Sequence, residues 1–147
     1  MMMFGKKMNI LIVEDTDGEN ALSIVREFGH TAFLAVNLEE AVFALSSTSW
    51  DAVLTDLHFP QLGNSKHQFR GELWDGMFRE VNHAPPPTPP AGLAVAVMCK
   101  EKNIPVTVVS DLDHHFAQYV EVVLKHIGSK IILDSKDWAK ALTLLGE

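Results

Sequence analysis

Carboxylates stand directly after two short apolar segments of the chain. Residues 8–13 form one apolar run, which ends on Glu14 and Asp15, and residues 52–54 form another, which leads to Asp56. Continuous apolar runs of this length predict strands that are buried on both faces, as in a parallel sheet. Because the carboxyl ends of parallel strands share one edge of the sheet, we expect the three carboxylates to converge there.

A cluster of three carboxylates requires a neutralising cation, since the negative charges otherwise repel one another. An all-oxygen set that leaves room for water and a phosphate oxygen suits Mg²⁺. Two further strand ends add a hydroxyl at Ser110 and an ammonium group at Lys136, which together could hold a phosphoryl group. The chemistry predicted for this set is nucleophilic attack by one carboxylate on phosphorus, giving an aspartyl phosphate.

The elements that must position these residues alternate between strand and helix patterns. Strands are predicted at residues 8–13, 31–36, 52–56, 104–109 and 130–133. Helices are predicted at residues 18–28, after a cap at Asn37, and at residues 92–102, 116–127 and 138–145. This alternation is typical of a parallel sheet covered by helices, and we predict a single domain over residues 1–147.

Residues 61–91 interrupt the alternation. They contain loop-forming residues, helical apolar spacing at residues 72–81 and a proline run at residues 85–90. The proline run excludes a helix interior or a central strand and favours extended polyproline. We therefore interpret this Pro-rich stretch as a segment inserted after the third strand, with a role in specificity rather than in chemistry.

Composition excludes several classes of protein. The net charge of −7 and the lack of a basic cluster argue against a nucleic-acid partner. The single cysteine, Cys99, excludes an internal disulfide framework and fits a reducing cytoplasm. No apolar run approaches the length of a transmembrane helix, so we expect a cytoplasmic protein without a membrane partner.

Three motifs resemble strand ends of response-regulator receiver domains, the CheY-like family. They are Ile-Leu-Ile-Val-Glu-Asp at residues 10–15, Asp-Ala-Val-Leu-Thr-Asp-Leu at residues 51–57 and Ile-Pro-Val-Thr-Val-Val-Ser at residues 104–110. Residues 92–96 also resemble the start of the third helix of that family. The resemblance covers nearly the whole chain except about residues 61–91, and it implies a doubly wound, flavodoxin-like α/β/α fold with strand order 2-1-3-4-5.

The resemblance also implies a role for the residues at the strand ends. Asp56 would be the phosphoacceptor, Glu14 and Asp15 would be the acidic pair that binds Mg²⁺, and Ser110 would be the switch hydroxyl.

The lysine of the family ends the fifth strand, and Lys136 is the residue that we assign to this position. Lys130 is its rival, but it falls at the start of the strand and therefore at the opposite edge of the sheet. The chain departs from the family pattern in two ways. Lys136 is followed by Asp137 and Trp138 without the usual proline, and residues 131–133 lack the aromatic switch residue.

The function implied is that of a stand-alone receiver that signals through protein–protein interaction. A sensor histidine kinase or a phosphotransfer protein would supply the phosphoryl group to Asp56 in a Mg²⁺-dependent phosphorelay, and an unknown downstream protein would bind the product. Such a protein is no enzyme beyond self-phosphorylation and dephosphorylation of Asp56.

Two alternatives stay open. One is a pseudo-receiver that binds partners without phosphorylation. The other is a small phosphatase or other phosphotransfer enzyme with an aspartyl intermediate, for which His58 is the only nearby candidate for a general acid. A transition-metal site at His58, His114 and His115 is conceivable, but no spacing matches a closed zinc site.

Overall fold

The computed structural model describes residues 6–57, 91–110, 118–132 and 135–146, and strands alternate with helices along these ranges. The strands are β1 (Asn9–Val13), β2 (Thr31–Ala35), β3 (Ala52–Asp56), β4 (Val106–Val109) and β5 (Lys130–Ile132). The helices are α1 (Gly18–Glu27), α2 (Leu38–Ser47), α3 (Ala91–Glu101), α4 (Gln118–His126) and α5 (Trp138–Leu145). The predicted bounds agree with these to within two residues.

The five strands form one parallel sheet in the order β2-β1-β3-β4-β5. This confirms the doubly wound fold with strand order 2-1-3-4-5. The chain order reverses between β1 and β3, and the crevice at such a switch point is where open α/β sheets bind ligands. The pairing of Val13 with Thr55 brings the ends of β1 and β3 level with each other at that crevice.

Each face of the sheet has its own apolar core because successive strand residues point to opposite faces. Leu11, Val53 and Val108 pack on one face with residues of α2, α3 and α4. Ile10, Ile12 and Leu54 pack on the other face with residues of α1 and α5, of which Trp138 is the largest. The molecule therefore has the three layers that the sequence predicts.

The helix ends follow local sequence signals. Asn37 caps α2, since its side-chain Oδ1 accepts a hydrogen bond from the backbone N–H of Glu40 at 2.8 Å. Gly29 follows α1 with a φ of 90°, a conformation that favours glycine and stops the helix. Both signals were predicted.

The described residues on either side of the segment predicted to be inserted lie close together. The backbone N–H of Gly92, in the first turn of α3, donates to the carbonyl of Leu57 at 2.9 Å. The predicted helix at residues 72–81, the proline run and the three histidines at positions 58, 114 and 115 lie outside the described residues. Among the helices that are described, none is long and apolar enough to cross a membrane.

Candidate functional site

Asp56 is the last residue of β3, the strand that lies between β1 and β4. Its side chain is 3% exposed, and its Oδ1 accepts a hydrogen bond from the backbone N–H of Leu57 at 2.8 Å. The apolar residues of β3 fix the strand in the sheet, so that the carboxylate projects from a rigid element. The predicted phosphoacceptor therefore lies at the carboxyl edge of the sheet.

Gly92 lies directly against the backbone of Asp56. A Cβ atom at this position would be 2.1 Å from the carbonyl oxygen of Asp56 and 2.6 Å from Cα of Leu57. Only a residue without a side chain allows α3 to begin this close to the end of β3.

The acidic pair follows β1. Extending the pairing of Val13 with Thr55 by one residue places Glu14 beside Asp56. Glu14 is fully buried, and its Oε1 accepts hydrogen bonds from the Thr16 N–H at 3.2 Å, the Thr16 hydroxyl at 3.0 Å and the Asp17 N–H at 3.1 Å. Asp15, the second acid, is exposed. We call residues 14–17 the acid loop.

Lys136 reaches both buried carboxylates. Its Nζ donates to Glu14 Oε1 at 2.9 Å and to Oε2 at 3.2 Å, and it forms an ion pair with Asp56 Oδ2 at 3.2 Å. Lys130, the rival, begins β5 and is exposed. The structure thus brings Lys136, and not Lys130, to the carboxylates.

Ser110 comes directly after β4 and is 2% exposed. Because Asp56 pairs with Val109, the register places Ser110 one residue beyond the strand partner of Asp56. Its backbone N–H donates to the carbonyl of Ile132 at 2.9 Å, and it forms an isolated bridge with Ser135. Ser110 and the residue before Lys136 therefore lie side by side at the same edge as the acids.

Burial and charge shift the pKa values of the three charged groups in different directions. Burial, and next the charge of Glu14, raise the pKa of Asp56 to about 7, although Lys136 opposes the shift. Burial would also raise the pKa of Glu14, but the hydrogen bonds from Lys136 and the acid loop outweigh it and hold that pKa below its ordinary value. Burial disfavours the charge of Lys136, yet the hydrogen bond with Glu14 and the charge of Asp56 raise its pKa above the ordinary value.

The donor set suits a hard cation. One carboxylate oxygen each from Glu14, Asp15 and Asp56 can be chosen so that all lie within 4.8 Å of one another. Oxygen ligands of this kind are those that Mg²⁺ prefers, and a cation beside Asp56 would favour the charged form that burial and Glu14 disfavour. The residues present therefore fit the predicted magnesium ion.

Sequence reasoning missed three contributors to the site. Thr16 and Asp17 donate to Glu14, and the indole of Trp138 donates to Asp17 Oδ2 at 2.7 Å. The signal for the first two was present, because residues that directly follow a buried carboxylate can turn their N–H groups back to it. The Trp138 contact joins residues 121 positions apart, and no local pattern indicates it.

Comparison with known proteins gives matches of structure rather than of sequence. No protein-family model matches this chain, and no curated protein matches its sequence. The structure is similar to a CheY-like response-regulator receiver domain from Methanospirillum hungatei, with a TM-score of 0.66 at 12% identity over 95% of this chain and 91% of that one. It is also similar to the non-phosphorylated HemR receiver domain from Leptospira biflexa, with a TM-score of 0.63 at 17% identity over 97% and 95%.

A third similar structure was solved with ligands. It is the response regulator TrrA from Thermotoga maritima in complex with Mg²⁺ and BeF, with a TM-score of 0.59 at 18% identity over 92% of each chain. At these identities the likeness establishes the fold. The chain has the five-stranded fold of response-regulator receiver domains.

Proposed function

We propose that this chain is a response-regulator receiver that accepts a phosphoryl group on Asp56. The observation that carries the proposal is the ion pair between Lys136 Nζ and Asp56 Oδ2, in a buried cluster with Glu14 and the adjoining Asp15. A carboxylate beside an ammonium group and two further acids has the partners that a nucleophile needs in phosphoryl transfer. The receiver fold supports the same conclusion, since it places the cluster at the switch point of the sheet.

Asp56 is the nucleophile in this proposal. One of its carboxylate oxygens forms a bond to the phosphorus of a phosphohistidine, the bond from phosphorus to the histidine nitrogen breaks, and the bonding pair stays on that nitrogen. Asp56 must be ionised to attack, and its pKa of about 7 without a cation limits the ionised fraction at neutral pH. Additional positive charge at the site would increase that fraction.

The other side chains position the phosphoryl group. The ammonium group of Lys136 would move from the Asp56 carboxylate to a phosphoryl oxygen. The Ser110 hydroxyl would donate a hydrogen bond to a second phosphoryl oxygen. Asp15 and Asp56 would hold Mg²⁺, with Glu14 acting directly or through water. Bound there, the ion would neutralise charge on the phosphoryl oxygens.

The partners we propose follow from this chemistry. The donor is a histidine kinase or a phosphotransfer protein, and the output is altered affinity for a downstream protein. The net charge of −7 disfavours a nucleic-acid target. Cys99 is buried and unpaired, in keeping with our proposal of a cytoplasmic, reducing location.

Incubation with Mg²⁺ and a small acyl phosphate, followed by intact-mass measurement, tests the proposal. We expect the wild type to gain one phosphoryl mass and Asp56→Asn to gain none. The matched control is Asp51→Asn, which alters an exposed carboxylate just before the other end of β3 and keeps an oxygen that can accept from the Asn9 N–H. Labelling of both variants, or of neither the wild type nor the control, would contradict the assignment of Asp56.

The second candidate is a pseudo-receiver that binds partners without phosphorylation. The contacts of Glu14 favour this candidate. Its Oε1 already accepts four hydrogen bonds, including the one from Lys136, and is therefore less available to a cation. The lack of an aromatic residue at positions 131–133 points the same way. An unlabelled wild type that nevertheless binds Mg²⁺ would select this candidate.

A further inference from the structure

The indole of Trp138 makes a polar contact at the edge of a largely apolar core. The side chain is fully buried on the α1 and α5 side of the sheet, and its Nε1–H donates to Asp17 Oδ2 at 2.7 Å. Trp138 lies two residues after Lys136, in the stretch of residues 135–138 that we call the lysine segment. Asp17 is the last residue of the acid loop. The bond therefore ties the lysine segment to the acid loop.

Asp17 makes this contact instead of the one expected from its position. It is the N-cap residue of α1, yet its side chain makes no cap hydrogen bond. Asn37 and Asp137, which precede α2 and α5, both accept a hydrogen bond from the third residue beyond them. The carboxylate of Asp17 instead accepts from Trp138 and, at 3.3 Å, from Asn20 Nδ2.

A closed ring of contacts results. The Asp17 N–H and Lys136 Nζ both donate to Glu14 Oε1, at 3.1 Å and 2.9 Å. The Asp17 side chain accepts the hydrogen bond from Trp138, and one residue of the chain separates Trp138 from Lys136. Two separate contacts thus join the acid loop to the lysine segment, one at the ammonium group and one at the indole. A segment that is held at its indole leaves the lysine side chain less freedom to lose when its ammonium group engages the carboxylates.

We propose that Trp138 is a positioning residue, which through its hydrogen bond to Asp17 fixes the lysine segment so that Lys136 engages Glu14 and Asp56. The effect on the lysine geometry is independent of phosphorylation, and only its consequence for phosphoryl transfer rests on the proposed function. Burial of the ring explains why a large side chain is present. It does not explain why that side chain carries an N–H aimed at a carboxylate, and the bond to Asp17 does.

Chemical protection of Lys136 tests the proposal without a phosphodonor. Its side chain is 16% exposed and held by two carboxylates, whereas Lys140, one turn later, is exposed and serves as the internal reference. Limiting acetic anhydride followed by peptide mass spectrometry gives the acetylation of Lys136 relative to Lys140. In the wild type we expect Lys136 to be the less reactive of the two.

Three variants separate positioning from packing. Trp138→Phe keeps a buried ring without the N–H, and Asp17→Ala keeps the indole without its acceptor. In both, we expect the relative reactivity of Lys136 to rise severalfold, with about tenfold, the factor for one hydrogen bond to a charged group, as the upper bound, because the lost bond acts on the lysine only through the segment that carries it. Asp17→Asn retains an acceptor oxygen and should restore protection to near the wild-type level. Combining Trp138→Phe with Asp17→Ala should add little to either change alone.

The outcomes distinguish this proposal from the proposed function. Unchanged protection of Lys136 in Asp17→Ala and in a folded Trp138→Phe, as judged by circular dichroism, would overturn the positioning role. If Trp138→Phe does not fold, the positioning role is tested by Asp17→Ala, which should lose protection of Lys136, and by Asp17→Asn, which should keep it. Acyl-phosphate labelling of the same proteins is measured in parallel. If acyl phosphate does not label the wild type, but the acetylation of Lys136 changes in the variants as expected, only the proposed function is contradicted.

Discussion

Burial disfavours the charge of Asp56, which lies between an acid that repels this charge and a lysine that attracts it. Its pKa is raised from an ordinary value of 3.8 to about 7, so the native state keeps a proton that the unfolded chain has released. Stability of the metal-free protein therefore falls as the pH rises through this interval. Asp56→Asn removes that loss, while Lys136 keeps Glu14 as its partner.

We predict that Asp56→Asn is more stable than the wild type near pH 8 in metal-free buffer, by at most about 4 kcal/mol, the equivalent of a pKa shift from 3.8 to about 7. The difference should shrink as the pH is lowered towards the ordinary pKa of the carboxyl group. Urea unfolding at a series of pH values with a chelator present measures it, and Asp51→Asn serves as the exposed control. A variant that is less stable than the wild type at every pH would mean that Lys136 outweighs burial and Glu14 at this site.

Asp15 is the exposed member of the acidic cluster and the one that can be removed without opening the core. A cation that binds only the folded state raises the free energy of unfolding, by about 2.7 kcal/mol at a concentration of 100 times Kd. We predict that Mg²⁺ raises the Tm of the wild type and that Asp15→Ala removes this rise.

Thermal melts with and without Mg²⁺ measure the effect. Glu19→Ala is the matched control, because Glu19 is an exposed acid in the first turn of α1 and lies outside the cluster. A full Mg²⁺ response in Asp15→Ala would show that the acidic pair has been misassigned.

At the scale of elements, the start of α3 is fitted to the end of β3 through Gly92. A Cβ there would meet backbone atoms of Asp56 and Leu57, which cannot rotate away as a side-chain tip can. We predict that Gly92→Ala destabilises the fold by about 1–3 kcal/mol, the usual range for overpacking. It should also slow labelling of Asp56 by acyl phosphate, since the carboxylate moves with its backbone.

Gly18→Ala is the comparison, because a Cβ at Gly18 would meet the side chain of Leu34, which can shift. Denaturant unfolding and the rate of labelling are measured for both variants. Equal effects of the two substitutions would show that the contact of α3 with the Asp56 backbone carries no special constraint.

The strands and helices could be predicted from the sequence because each carries its own local signal. Apolar runs mark β1, β3 and β4, Asn37 marks the start of α2, and Gly29 marks the end of α1. The convergence of Glu14 and Asp56 also followed, because a parallel sheet brings the ends of its strands together.

The close approach of Gly92 to Asp56 and the bond from Trp138 to Asp17 could not be predicted. Both depend on how elements pack in three dimensions, and the residues involved are ordinary in their local sequence. From the sequence, Gly92 is a residue at the start of a helix, and Asp17 is a residue that could cap one. Only the packed structure shows that the first is placed for contact with a backbone and the second for contact with an indole.

At the scale of the whole molecule, the chain has one receiver-type sheet with a segment proposed to be inserted after β3. The predicted bounds of residues 61–91 are one residue too long, since Ala91 begins α3. The hydrogen bond from the Gly92 N–H to the Leu57 carbonyl brings the two ends of the intervening chain together. A short link can therefore span them, and loop-closure entropy changes by only about 0.6 kcal/mol for each twofold change in length.

We predict that replacing residues 62–89 with a short Gly-Ser link leaves a folded domain that acyl phosphate still labels, while binding to the protein partner is lost. Circular dichroism, thermal melting and intact mass measure the first two properties, and pull-down with the cognate kinase or target measures the third. A shortened chain that fails to fold would show that this segment belongs to the core, and the single-receiver interpretation would then be wrong at this point.

We propose that the carboxylate of Asp56, and no other, becomes the acyl phosphate. Reduction of the acyl-phosphate-treated, Mg²⁺-loaded protein with borohydride converts a phosphorylated aspartate to homoserine, which peptide mass spectrometry locates. We predict homoserine at position 56 alone and none in protein that was not treated with acyl phosphate. Homoserine at Asp15 or at another acid, or none at all in a protein whose Tm rises with Mg²⁺, would contradict it.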